Sequence, residues 1–403
     1  MGQKIHNNSV VWLSFVLVLM AAALSIFLLK KESKGLNFHP VAFTQLQGWQ
    51  GDKLTPALKA FQTSCKKLIL RPAKRSMGAG IGGTVGDWHP ACKEALILNS
   101  SSSEEARSFF EKNFQPFSVA YDDRTEGVFT GYYEPLLQGS YKQSKRYSTP
   151  LLARPQELVM VDLGTFRHDL KGRRIAGRVE KGRLVPYPDR KAIDAGALNN
   201  KTEALLWVDD PVMAFSLHIQ GSGRVQMEDG SIVRIGYAAQ NGHPYRAIGR
   251  VMVQQGLLER SQVSMPAIQN WLRENPARAN EIMHTNPSYV FLRLIGGDGP
   301  YGSAGVVLTP RRSLAVDRKH LPLNVPMYLD ASHPDPTDRN APSLPFQRLM
   351  ITQDTGGAIR GGIRGDVFWG FGGDAEEIAG RMANKGRYYI LLPKALAQQV
   401  NTP

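Results

Sequence analysis

The sequence predicts a mainly β protein with added helices, carried behind one leading apolar segment. Three observations lead there. Glycine is abundant, at 39 of 403 residues, which implies many turns. Short runs rich in Val, Ile, Leu and Tyr, cut by Gly and Pro, extend from Gly127 to about Gln240 and return over the last hundred residues. Stretches with helical periodicity precede and separate these two regions. The length is enough for two domains with their own cores.

Taken in order, Val10–Leu29 is an uncharged apolar run, the length that crosses a bilayer core as a helix. It reads as an uncleaved anchor or a signal peptide, with Ala21–Ala23 as a cleavage region. Gly35–Gly51 reads as a tether. Pro56–Leu70 is expected to be helical, with Leu58, Phe61, Cys65 and Leu68 on one side. Ser102 with Glu105 forms a capping-box start for a helix to Phe114. After the first β-like region, Tyr245–Gln255 is expected to be helical, stopping at Gly256. Ser264 caps a further helix with Pro266 in its first turn. Val306–Thr309, Ser313–Asp317, Met327–Leu329, Arg348–Gln353 and Tyr388–Leu392 are expected strands. The proline-rich stretch Asp330–Pro345 is expected to be a loop. This alternation fits either consecutive domains or one domain inserted in another, and pattern alone leaves both open.

The formal charge of +14 suits a polyanionic partner such as an acidic wall polymer or an anionic membrane, as well as a merely solvated basic surface. No zinc-finger spacing, RNA-binding signature or basic heptad region is present, so nucleic acid is not expected. Cys65 and Cys92 are the only cysteines. They fit a disulfide in an oxidising compartment, although Cys65 also fits a small core residue four positions after Phe61.

The sequence contains no nucleophile elbow, phosphate loop, H-E-x-x-H or spaced Cys/His metal set. No metal or organic cofactor is indicated. His218, in LHIQGSG, reads most simply as a hydrogen-bonded structural residue. Three aspartates stand in turn-rich apolar surroundings: Asp317 ends SLAVD, Asp354 lies in QDTGG, and Asp366 precedes Val367, Phe368 and Trp369. Partial burial raises a carboxyl pKa and holds the acid protonated near neutrality, as a glycosidic acid requires. Each aspartate alone also fits an Asx turn. Tyr132 and Tyr133, in GYYEP, suit stacking on sugars or a place in the core. Gln220, Ser222 and Arg224 suit a polar cleft wall or a tight turn.

Seven stretches in order then resemble the membrane-bound lytic transglycosylase A family: FTGYYEP, DPVMAFSLHIQGSGRV, RIGYAAQNGHPYRAIGR, NPSYVFLR, GSAGVVLTPRRSLAVD, LMITQDTGGAIRG and DVFWGFG, between Phe129 and Gly372. The C-terminal part is also similar to the domain named for three aspartates, here Asp317, Asp354 and Asp366. The resemblance implies a double-psi β-barrel with a second β domain inserted into it and a long groove between them. In these terms residues 1–34 are the membrane segment, 35–135 the first part of the barrel domain, 136–245 the inserted domain and 246–403 the second part of the barrel domain. It also implies cleavage of the β-1,4 bond between N-acetylmuramic acid and N-acetylglucosamine in peptidoglycan, leaving a 1,6-anhydro end. Asp366 matches the catalytic aspartate and Asp354 a supporting one. Thr130, Tyr132, Tyr133, Gln220, Ser222 and Asp317 are the expected substrate-side residues.

The family's best-known members are outer-membrane lipoproteins, whereas this sequence has no cysteine beside Val10–Leu29. An inner-membrane anchor with a periplasmic body is therefore expected, against the mild opposite bias of Lys30, Lys31 and Lys34 after the run. Expected partners are glycan strands, the membrane through the N-terminal segment, and proteins of cell-wall synthesis or division. The rival readings are a glycan hydrolase on the same barrel and a wall-binding module without activity.

Overall fold

The computed structural model describes residues 35–400, except 80, 100, 101, 171 and 298. The expected membrane segment Val10–Leu29 lies outside the described residues. No helix among the described residues is long and apolar enough to cross a membrane.

The framework is a closed six-stranded barrel. Its strands follow the order Ala383–Pro393, Pro326–His333, Leu344–Asp354, Ser313–Val316, Arg364–Phe371 and Gly127–Glu134, and the last pairs back to the first. Two pairings are parallel, Ser313–Val316 with Leu344–Asp354 and Arg364–Phe371 with Gly127–Glu134. Parallel neighbours need long crossovers, which explains why strands so far apart in sequence lie side by side. Outside the ring, Phe114–Tyr121 pairs with Ala383–Pro393, and Leu36–Pro40 pairs with Phe114–Tyr121.

This last pairing corrects the expected tether over Gly35–Gly51. Leu36–Pro40 is a paired strand, and Trp49 beyond it is 1% exposed, donating its indole N–H to Glu111 at 2.7 Å. Asp52 then clasps Arg312 through both carboxylate oxygens, at 2.6 and 2.8 Å. An apolar indole with a satisfied N–H and a bidentate buried pair fix this segment to the barrel.

The helix Thr55–Leu68 buries the expected face, including Leu58, Phe61, Cys65 and Leu68. Cys65 is joined to Cys92 of the helix Val85–Ile97. Ser102 caps the helix Ser103–Asn113 by accepting from the Glu105 N–H at 3.1 Å. The core of the barrel is continuous with that of these helices.

The chain leaves the barrel at Pro135. Glu134 ends a barrel strand, and Leu136–Ser140 belongs to a second, six-stranded sheet. That sheet runs in the order Val290–Leu294, Ile232–Gln240, Ser222–Met227, Leu136–Ser140, Ala204–Val208 and Thr149–Leu152. The expected return to the barrel at residue 246 does not match this pairing. Val290–Leu294 is an edge strand of the second sheet, and the helices Ile248–Gln254, Met265–Glu274 and Pro276–His284 share a core with Val212 and Phe215. The chain rejoins the barrel at Ser313.

Two further departures have local causes. Pro211–Gln220, read as β-like, is a helix capped by Asp210, whose carboxylate accepts from the N–H groups of Val212 and Met213. It buries most of its surface, so it has no polar stripe to show the period. Val306–Thr309 forms no strand, and Val307 makes only an isolated bridge to Tyr301. The loop expected over Asp330–Pro345 is shorter than it seemed, because strand pairing continues to His333 opposite Leu344.

Candidate active site

Strand register builds the site. Ala315 pairs with Asp354 on one side and Asp366 on the other, and Asp366 pairs in turn with Thr130. Four consecutive strands therefore place Asp354, Asp366 and Thr130 in one row. Neighbouring strands lie about 4.8 Å apart, so two residues remote in sequence become close through pairing alone.

Asp366 is 18% exposed at its side chain. Arg364, two residues earlier on the same strand face, donates to its Oδ1 at 3.0 Å and to Thr130 Oγ1 at 2.7 Å. Burial pushes the Asp366 carboxyl above its ordinary value, and the Arg364 guanidinium pulls it partly back. The result is an acid that holds its proton higher than a surface aspartate does, beside a cation that steadies the ionised form.

Asp354 is differently placed. Its Oδ1 accepts from Ser303 N–H at 2.9 Å, Ser303 Oγ at 2.8 Å and Thr355 N–H at 2.8 Å. Its Oδ2 accepts from Tyr132 Oη at 3.0 Å. Burial raises this carboxyl too, opposed by those four donors. Three of these donors converge on Oδ1 and one on Oδ2, which makes Asp354 a holder of neighbouring groups. Tyr132 is kept a neutral donor by burial and by the adjacent Asp354 charge, and its ring lies 5.2 Å from that of Phe368.

The remaining expected residues divide. Gln220, at the end of its helix, accepts the Tyr133 N–H at 3.2 Å and thus reaches the barrel strand that carries Thr130 and Tyr132. Ser222 is half-buried at the start of the following strand. Tyr133 is 2% exposed and donates to Glu376 at 2.7 Å, because the helix Gly373–Arg381 covers that strand face. It offers no face to a sugar. Asp317 is 3% exposed and accepts from the N–H groups of Gly361 and Lys319 at 2.9 and 3.1 Å. It pins the loop before the Asp366 strand, which corrects its expected place on the substrate side. Arg224, which suited a cleft wall or a tight turn, donates to the buried Glu134 at 3.2 Å and stacks on Phe371.

Three residues of the site went unnoticed in the sequence: Arg364, Ser303 and Tyr245. The period of two in RGDVF places Arg364 beside Asp366. Tyr245, which joins the site from the chain of the second sheet, has its hydroxyl pKa raised by burial and by the Asp366 charge. Nothing local in the sequence connects it to a strand 120 residues later.

Comparison with known proteins agrees with this geometry. The MltA specific insert domain matches residues 128–293, and the 3D domain matches residues 312–392. The membrane-bound lytic murein transglycosylase A of Escherichia coli strain K12 is 30% identical over 265 residues, 65% of each chain. The chain thus spans just under two thirds of that relative's length. Among solved structures, a membrane-bound lytic murein transglycosylase from Agrobacterium tumefaciens is 34% identical with a TM-score of 0.80, covering 90% of this chain and 99% of that one. MltA from Neisseria gonorrhoeae is 33% identical with a TM-score of 0.72, covering 90% and 92%. With a barrel that aligns Asp354, Asp366 and Thr130, both domain matches, and two solved structures covered over 92% and 99% of their length, the chain belongs to the membrane-bound lytic murein transglycosylase A family.

Proposed function

We propose that this protein cleaves the β-1,4 bond between N-acetylmuramic acid and N-acetylglucosamine in peptidoglycan and leaves a 1,6-anhydro end, with Asp366 as acid and then base. The observation that carries this reading is the asymmetry of the two carboxyls. Asp366 has one charged partner and a part-exposed carboxyl, and Asp354 is occupied by four donors.

Asp366 gives its proton to the glycosidic oxygen as the bond from C1 to that oxygen breaks. The muramic 6-hydroxyl then forms a bond to C1, and the Asp366 carboxylate takes the hydroxyl proton. No water is consumed and the acid is regenerated. Internal attack benefits from high effective molarity, so a single acid–base residue is sufficient. Arg364 stabilises the carboxylate between the two transfers, and Asp354 holds Tyr132 and the Ser303 loop around the sugar. A hydrolase would need a second free carboxylate, and the bonding of Asp354 argues against that role.

The glycan would lie in the groove expected between barrel and second sheet, with Thr130, Tyr132, Gln220 and Tyr245 along it. Its substrate is outside the cytoplasm, which supports a periplasmic body held by Val10–Leu29, and the relatives' name, membrane-bound, supports a membrane location without specifying the anchor.

The test is mass spectrometry of muropeptides released from purified peptidoglycan by the full chain in detergent, beside Asp366→Asn. Anhydro-muramic products from the parent and none from the variant are expected. Reducing-end products would make it a hydrolase, and binding without release would make it a wall-binding module.

A further inference from the structure

Between Lys53 and Gly86 the sequence has seven cations and no carboxylate. Five of them, Lys66, Lys67, Arg71, Lys74 and Arg75, fall within ten residues where the helix Thr55–Leu68 ends. None of the five makes an ion pair among the described residues. Lys66 and Lys67 suit the negative end of that helix, which does not account for the other three. Gly78 and Gly82, just after Arg75, lie against Pro322, four residues after Arg318, and burial together with the charges of Arg75 and Arg318 depresses the Arg71 pKa, so like charges are gathered here. Among them Leu70 is 79% exposed and Ile69 37% exposed.

The same face receives the N-terminal segment. Leu36 pairs with Tyr121, whose ring lies 5.1 Å from that of His320, two residues after Arg318. Because Leu36–Pro40 is a strand and not a tether, only residues 30–34 separate the apolar run ending at Leu29 from Gly35. Six peptide steps reach about 20 Å at most. A body held by Val10–Leu29 therefore keeps this face against the bilayer that holds the run. Asp122, Asp123 and Glu126 follow Tyr121 and are outnumbered by the surrounding cations.

We propose that residues 66–75, with Arg318, form a docking surface for an anionic lipid bilayer, Leu70 entering the interface and the cations meeting the headgroups. Cations beside a membrane anchor bind acidic lipid in this way, and a protruding apolar side chain among them gains by burial at the interface. This rests on Val10–Leu29 being retained in the membrane, and it assigns a fixed orientation to the body above it.

The test places an environment-sensitive fluorophore at Leu70→Cys of the full chain without reductant, which leaves the Cys65–Cys92 bond intact, and in parallel at Phe166→Cys, another exposed position. Each is reconstituted in nanodiscs of phosphatidylcholine alone or mixed with phosphatidylglycerol. Position 70 is expected to be shielded from acrylamide only with phosphatidylglycerol, and position 166 to stay open. Changing Lys66, Lys67, Lys74 and Arg75 to Gln should lower the docked-to-free ratio about fivefold per charge removed, as should high salt in the parent. A chain that leaves the bilayer in alkaline carbonate would remove the anchor and the proposal together. A retained chain with position 70 open in both lipids, or shielded by purified peptidoglycan instead, would overturn the docking surface alone.

Discussion

Asp354 and Asp366 lie two strands apart in the barrel, both in register with Ala315 between them. Their chemistry diverges because their partners do. Asp366 meets one guanidinium, and Asp354 is enclosed by the Ser303 loop and Tyr132. Replacing Asp366 with Asn should lower turnover by at least 10²- to 10⁴-fold, the usual contribution of a positioned acid–base group. Asp354→Asn should lower it less and leave the product unchanged. Single-turnover release of anhydro products separates the two.

Asp366 should also leave a mark on stability. Its folded pKa is raised by burial, so the carboxyl adds stability when protonated and loses it as pH climbs from the ordinary carboxylate value through the raised one. Asp366→Asn should therefore melt like the parent at low pH and above it at neutral pH. Each tenfold rise in proton affinity is worth about 1.4 kcal/mol. Thermal melts across that range read the difference, and equal melting at all pH values would contradict a raised pKa.

Arg364 holds the Asp366 pKa down from the value that burial alone would give. Arg364→Gln should move the alkaline limb of the pH–rate profile upward, since the acid then keeps its proton to higher pH, while lowering the maximal rate. An unmoved limb would place the acid elsewhere.

Glu134 is buried at the crossing between the two sheets and meets Arg224 at 3.2 Å and Arg234 at 3.1 Å. Glu134→Gln leaves two guanidinium groups without a countercharge and should cost about 3 kcal/mol in denaturant unfolding. Because Arg224 also stacks on Phe371, at the end of the Asp366 strand, the variant should raise KM for glycan more than it lowers kcat.

The Cys65–Cys92 bond closes a separation of 27 residues. Loop entropy gives it about 3.5 kcal/mol. The double Ser variant should unfold at lower denaturant by that amount and keep its activity at room temperature, because neither cysteine bonds to Asp366, Asp354 or Thr130.

The sequence by itself determined what is written in short-range chemistry. Ser102 and Ser264 mark helix starts because a cap needs only a side-chain oxygen and an N–H two or three residues on. Strand alternation in RGDVF already sets Arg364 beside Asp366. The aspartates announced themselves because a carboxyl among apolar residues is chemically costly unless it is used. The helix Pro211–Gln220 gave no such sign, since Ser216 and His218 are buried along with its apolar residues and leave no polar face to reveal its period. What only the tertiary structure decided is register and cover. Ala315 brings Asp354 to Asp366 through pairings that no local pattern encodes, and the Asp366 charge acts on Tyr245 in the loop after the strand Ile232–Gln240. Tyr133 and Asp317 look as exposed in sequence as Tyr132 and Asp354. The helix Gly373–Arg381 and the Gly361 loop enclose them, and burial of a side chain is set by what folds over it, not by its neighbours in the chain.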